Sequence, residues 1–179
     1  MRNLRTLLII AAATSLVSCG TVSTVQPAAA SNLKTGKQYS KVVVQDFRSA
    51  VSDDDGSTVV AGRQFADVIA QAVRSSRPGV MVSRNGPPDA GTLVIGGEIT
   101  RYMEGNAALR LFIGMGAGSS YFDANIRFSD GATGQSLGSL RADKNSWGLG
   151  GSIAATQTVK VFMQEAAKKT ATEVAPLLR

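Results

Sequence analysis

Three glycines at alternate positions, Gly114, Gly116 and Gly118, follow an apolar run over residues 107–113. Bare backbone N–H groups in such a loop can close around phosphate oxygens. A dinucleotide loop, however, runs strand, G-x-G-x-x-G, then a helix whose N-terminus receives the phosphate. Here the spacing is G-x-G-x-G, and the segment that follows has the pattern of a strand. The glycines are therefore expected to form either a bent core strand with one bare face or a patch that packs on a partner or membrane. Neither reading needs a nucleotide.

Other chemistry is limited by residue type. The sequence has no histidine and one cysteine, Cys19. Imidazole acid–base relays and nearly all zinc or copper sites are thereby excluded. Carboxylate pairs of the glycosidase kind remain open. Their candidates are Asp46, Glu98, Glu104, Asp123 and Asp130, none of which sits in a signature. Ser31 and Lys34 have the Ser-x-x-Lys spacing of serine acyl enzymes, but in a polar segment rather than a core helix. Asp53, Asp54 and Asp55 are contiguous, whereas calcium loops alternate their ligands. They read as acids before a helix, with Ser57 as its cap. The expectation is a protein that is not an enzyme, with no catalytic residue, cofactor or metal site.

The first eighteen residues suggest where these groups work. Arg2 and Arg5 precede an uncharged stretch, residues 6–18, too short to cross a bilayer as a helix. It has the length of a secretory leader's apolar region. Leu16-Val17-Ser18-Cys19 resembles the bacterial lipoprotein signal, in which the cysteine thiol takes a diacylglyceryl group and a peptidase cuts before it. That resemblance implies a lipid anchor on Cys19, with no thiol left to act as a nucleophile. Gly20, where an aspartate would favour inner-membrane retention, is compatible with the periplasmic face of the outer membrane. The expected divisions are a leader over 1–18, a lipidated cysteine and flexible tether over 19–38, and one periplasmic domain over 39–179. The formal charge of +6, from 19 basic and 13 acidic residues, is a mild excess. In the envelope it points to anionic lipid or polymer rather than nucleic acid.

The elements that must position any site follow from periodicity. Residues 41–47, KVVVQDF, read as a short buried strand. In 60–76, Phe65, Val68, Ile69, Ala72 and Val73 fall at helical spacing. Residues 80–83 and 92–104 read as strands, the latter with a Gly96-Gly97 bulge or close approach. In 121–128, Phe122, Ala124, Ile126 and Phe128 alternate with polar residues, and 136–143 returns as the hairpin partner. A long helix is expected from Ser152 to about Ala175, with Val159, Phe162, Met163, Ala166, Thr170, Val174 and Leu177 inward. The fold class is α+β: a mainly antiparallel sheet with two helices packed on one face.

Several of these segments together resemble an uncharacterised domain-of-unknown-function family of bacterial lipoproteins. The likeness rests on Gly97 to Ile99, Gly105-Asn106, Arg110, the Gly114-x-Gly116-x-Gly118 run and the Asp130-x-x-Thr133-Gly134 turn. A more distant similarity, through residues 42–47 and Ala66-Asp67, is to the periplasmic core of the curli-secretion channel lipoprotein. It implies an α+β domain that assembles into a ring, although this chain lacks the long amphipathic hairpins of a membrane barrel. The resulting expectation is a lipid-anchored binding or assembly module, homo-oligomeric or bound to an envelope protein. Its interaction surface would comprise Arg110, Phe112, Gly114, Met115, Gly116, Gly118 and Trp147. The alternative is a carboxylate-dependent hydrolase acting on envelope glycan or peptide.

Overall fold

A computed structural model of the chain describes residues 23–27, 33, 36–51, 56–113, 117–146 and 157–179. Seven strands form one sheet: β1 (Ser23–Pro27), β2 (Lys41–Val44), β3 (Arg48–Ser49), β4 (Met81–Arg84), β5 (Thr92–Met103), β6 (Tyr121–Asp130) and β7 (Ser136–Asn145). The order is β1-β7-β6-β5-β2-β4, with β3 also beside β5. Helices α1 (Ser57–Ser76) and α3 (Val159–Val174) pack side by side over one face. A short helix, α2 (Ala107–Phe112), joins β5 to β6.

The sheet is mixed, which corrects the expectation of a mainly antiparallel one. β2 runs parallel to both β4 and β5, and β3 is parallel to β5. The cause is local: β2, α1 and β4 make a crossover in which the helix returns the chain to the same end of the sheet. Val42, Val43 and Val44 are all buried. Such an unbroken apolar run, rather than an alternating one, is what a parallel strand covered on both faces requires. The antiparallel half is as expected. Phe122, Ala124, Ile126 and Phe128 are fully buried, and β6 and β7 form a hairpin.

Three element assignments change. Within the segment expected to be a tether, Ser23–Pro27 is a strand, antiparallel to β7; the free edge of β7 offers it a ladder of backbone donors and acceptors. Helix α1 begins at Ser57, and its N-cap is Gly56 with no side-chain cap, so Ser57 does not cap it. Helix α3 begins at Val159, because Thr158 at its N-cap is extended. The inward stripe read for α3 is nonetheless buried throughout. Asp53, Asp54 and Asp55 lie outside the described residues.

One ring connects the layers. Phe47 sits where the backbone jogs between β2 and β3, 2% exposed, with its ring 4.8 Å from Phe65 of α1. Phe65 in turn meets Phe122 of β6 edge-on at 4.8 Å. Both neighbours of Phe47 are glycines by necessity. A Cβ on Gly62 would lie 2.1 Å from the Phe47 carbonyl oxygen, and one on Gly97 would lie 1.9 Å from the Asn125 carbonyl oxygen and 2.9 Å from the Phe47 ring. Gly97 also holds φ at +150°. The Gly96-Gly97 break is thus a close approach, as expected.

The Asp130-x-x-Thr133-Gly134 turn closes the opposite end of the sheet. The Asp130 carboxylate accepts from the Ala132 and Thr133 backbone N–H groups at 3.1 and 3.0 Å and from the Thr133 hydroxyl at 3.0 Å. Its other oxygen accepts from the Tyr39 hydroxyl at 3.0 Å and pairs with Lys37. Tyr39 itself bridges to the chain's end, donating its N–H to the Leu177 carbonyl and accepting from the Arg179 N–H.

Truncating Phe47 to alanine is expected to cost about 3–5 kcal/mol, and truncating Phe65 or Ile69 about 2–5 kcal/mol. Urea unfolding of each variant checks this; unchanged midpoints would show that these rings and chains are not core.

Candidate functional site

The end of the sheet formed by the C-terminus of β5 carries the glycine-rich segment. The apolar run before it is not a strand but α2, Ala107–Phe112; Gly114 and Gly116, on which the bent-strand reading rests, lie outside the described residues. Asn106 is extended and caps the helix, its side-chain oxygen accepting from the Leu109 N–H at 3.2 Å. That cap competes successfully with strand formation because the first turn of a helix needs a side-chain acceptor.

The loop is pinned at its base. The Asn106 N–H donates to the Gly118 carbonyl at 2.8 Å. Gly118 has φ +68°, and a Cβ there would lie 2.5 Å from the Asn106 carbonyl oxygen. Gly118 therefore serves backbone approach. Below it, the Ser120 hydroxyl donates to the Glu104 carbonyl. The Ser120 N–H donates to the Ser146 hydroxyl at 2.7 Å, and the Ser146 N–H to the Ser120 carbonyl at 3.0 Å.

The structure brings only part of the expected surface together. Phe112 is 89% exposed, on α2. The backbone of Arg110 lies on the same helix. Gly114, Met115, Gly116, Trp147 and Cys19 lie outside the described residues. Met103 at the end of β5, Leu109 on α2 and Ile113 after it are also exposed, and Met103 and Leu109 were not among the expected surface residues.

The five candidate carboxylates do not converge. Asp130 is held in its turn, where the Lys37 ammonium above all keeps its carboxyl well below the usual range despite burial. Asp46 is paired with Arg84 and Arg63, and Arg84 also pairs with Asp67. Glu98 accepts from Arg127 at 2.9 Å and from Asn125 at 3.2 Å. Glu104 lines a cleft of about 290 Å³ with Gln64, Tyr102, Lys160 and Met163. There it accepts from the Tyr102 hydroxyl at 2.7 Å. Burial, and then this carboxylate, raise the Tyr102 phenol above its ordinary value, so it acts as a donor. A second cleft, about 270 Å³, lies on the helix-free face among Asp46, Arg48, Gly96, Arg127 and Ser136. Each of these two clefts is lined by one carboxylate.

Asp123 is different. It faces Asp143 directly across β6 and β7 on the helix-free side of the sheet. Burial first, and then the Asp143 charge, push its carboxyl up; a hydrogen bond from the Lys144 N–H at 3.3 Å, and then Arg101 and Arg141, oppose this. Arg101 lies with its guanidinium carbon 3.6 Å from the centre of the Tyr121 ring. The helix-free face thus carries rows of charge, Glu98 with Arg127 and Asp123 with Asp143, Arg101 and Arg141. Such a face can hold a polar partner through ion pairs and hydrogen bonds. Among the described residues, no group of three or more acidic, histidine or cysteine side chains is placed to hold a metal ion. No helix among them is long and apolar enough to cross a membrane.

The family model described as "Domain of unknown function (DUF4410)" matches residues 26–150. The chain belongs to the DUF4410 family. Among solved structures it is similar to the PelC dodecamer of Paraburkholderia phytofirmans in two crystal forms. One is 16% identical with a TM-score of 0.56, covering 87% of this chain and 96% of that one. The other is 14% identical with a TM-score of 0.56, covering 88% and 99%. Protein XCC0632 from Xanthomonas campestris, of DUF330, is 14% identical with a TM-score of 0.43, covering 80% and 88%. Comparison with curated proteins gave no match. At these identities the likeness to PelC is one of fold. It joins the DUF4410 chain to a two-layer α+β architecture.

Asp123→Asn is expected to stabilise the protein at neutral pH by roughly 0.2–1 kcal/mol, the scale of one cross-strand charge pair. The sign follows from the raised carboxyl. The native form of Asp123 holds its proton more tightly than the unfolded form, so its contribution is most favourable below the ordinary carboxylate pKa of about 3.9. That contribution is lost as pH rises through the folded value. The gain in Asp123→Asn should therefore vanish in acid, and thermal melts at both pH values check it.

Proposed function

We propose that this chain is a non-catalytic binding and assembly module of the bacterial envelope, held at the periplasmic face of the outer membrane by lipid on Cys19. It works as a homo-oligomer. The observation that carries the reading is the helix-free face of the sheet. It is broad and charged, and the carboxylates on it are paired with arginines or with each other rather than gathered in a cleft. A surface of that kind recognises a partner through many polar contacts.

Two further observations support it. The leader and the lone cysteine at Leu16-Val17-Ser18-Cys19 fit a lipoprotein whose body is the domain built on this sheet, β1 included. The same fold, over nearly the whole length of the subunit, is found in a protein that forms a dodecamer. In this reading the charged face meets a neighbouring subunit or an envelope protein. Gly118 serves backbone approach, and in this reading the glycine run binds no phosphate.

Two measurements test it. Cells expressing the Cys19→Ser chain should lose palmitate labelling and sedimentation with membranes; labelling that persists would refute the anchor. Crosslinking of the membrane-extracted chain should give a discrete oligomer. Charge reversal at Arg127 or Arg141 should shift it to monomer without lowering the melting temperature by more than the few degrees that about 1 kcal/mol corresponds to.

A further inference from the structure

The exposed apolar side chains are unevenly placed. Among the described residues, seven large hydrophobic side chains are exposed. Met103, Leu109, Phe112 and Ile113 are 52%, 43%, 89% and 63% exposed, at the C-terminal end of β5 and on α2. Val59 and Val60 are 42% and 50% exposed on the first turn of α1. That turn points to the same end, since Gly62 abuts Phe47 just before β3, and Gln64 shares a cleft with Tyr102 and Glu104. Met81 alone marks the other end, level with Thr92 at the start of β5. The two ends of the 12-residue β5 are about 35 Å apart at the usual strand rise.

The strand register places the start of the described chain at the apolar end. Ser23 pairs with Lys144, Lys144 with Phe122, and Phe122 with Tyr102, in one rung across the sheet. Cys19 is four residues before Ser23. Four residues reach at most about 14 Å when fully extended. The rung from β1 to β5 spans three strand spacings, also about 14 Å. An acyl chain on Cys19 is therefore tied on a short leash to the end of the sheet that carries α2. Cys19 itself cannot reach the far end, about 35 Å away, where Met81 sits.

We infer that the end bearing Met103, Leu109, Phe112 and Ile113 is a lipid-docking tip that enters the same membrane leaflet as the anchor. This rests on the anchored reading above. The occupant is a lipid surface because the leash holds these side chains at the membrane whether or not another subunit is present. Apolar side chains so held gain by burial at the boundary of headgroups and acyl chains, about 5–10 Å deep. Arg101, stacked on Tyr121 at the foot of the tip, is placed for anionic headgroups. The sheet would then stand on the membrane, with its charged face directed sideways along it.

The test uses the full chain extracted from its own membranes, with acylation read by mass spectrometry. Phe112→Trp and Met81→Trp each add a reporter to the common background of Trp147. Each protein is mixed with vesicles of phosphatidylethanolamine and phosphatidylglycerol, with and without bromine on the acyl chains. The tip reading expects the fluorescence added at position 112 to be lost in brominated vesicles and that at position 81 to persist. Equal quenching at the two positions, or none at 112, overturns it. So does an unquenched position 112 where Phe112→Asp also breaks a crosslinked oligomer, which makes the tip a subunit contact. Quenching at 112 in a chain that carries no acyl group upholds the tip and refutes the anchor. An acylated chain unquenched at 112 does the reverse.

Discussion

Phe47 is the contact through which the two layers of this protein are joined. Its ring needs space on two sides at once, and both sides supply it by having no side chain. Gly62 lets α1 approach until its backbone meets the Phe47 carbonyl, and Gly97 lets β5 turn in against β6 under the ring. Fully burying a phenylalanine contributes about 1.5–3 kcal/mol. Here the position of the ring also sets the height of α1 over the sheet, and so the meeting of Phe65 with Phe122. The same jog in the backbone separates β2 from β3, each parallel to β5, and marks where α1 crosses.

From this contact the arrangement of the sheet follows. β2 is covered on both faces and parallel to its neighbours, whereas β6 and β7 are covered on one face and antiparallel. A mixed sheet is what results when a crossover unit is extended by a hairpin. Lys144, on the covered face of β7, is 8% exposed at its side chain and reaches Glu165 of α3 at 2.7 Å. A buried ammonium is costly unless it is paired. That ion pair therefore fixes α3 against β7 as Phe47 fixes α1 against β5.

What could be read from the sequence depended on whether the signal was local. The alternation in 121–128 is complete within one segment, and it gave the strand and its buried face. The helical stripes from Phe65 and from Val159 are equally local. Strand direction is not. The run Val42-Val43-Val44 carries the signature of a parallel strand, but direction is fixed by where α1 returns the chain. The segment 107–112 misled for a related reason. Its apolar residues suit a strand, and the outcome turns on one polar side chain, Asn106, capping a helix. Ser23–Pro27 reads as tether because its few β-branched residues are insufficient alone; the edge of β7 makes it a strand. Of the expected surface, Phe112 and Gly118 were legible as positions. That the apolar residues gather at one end required the register of four strands.

The chemistry-bearing residues show how far type alone can take a functional reading. Five carboxylates were candidates for acid–base work, and their spacing in sequence said nothing against it. In the structure each has a hydrogen-bond or ion-pair partner, and the five lie apart. Asp130 receives two backbone N–H groups, two hydroxyls and an ammonium, a set of bonds that keeps it charged and immobile. Charge-assisted bonds of this kind are strong because the acceptor is ionised, and a turn built on one cannot release it to a substrate without opening the link between β6, β7 and the C-terminus. Asp123 is less favourably placed, since it has Arg101 opposite it on β5 but another acid, Asp143, opposite it on β7. Two acids directly opposite one another are unfavourable in an isolated sheet, and their cost falls when a cationic surface covers them. On the helix-free face the repulsion between Asp123 and Asp143 is offset by Arg101, Arg141 and the Lys144 N–H, so these acids are held by their own surroundings in the sheet.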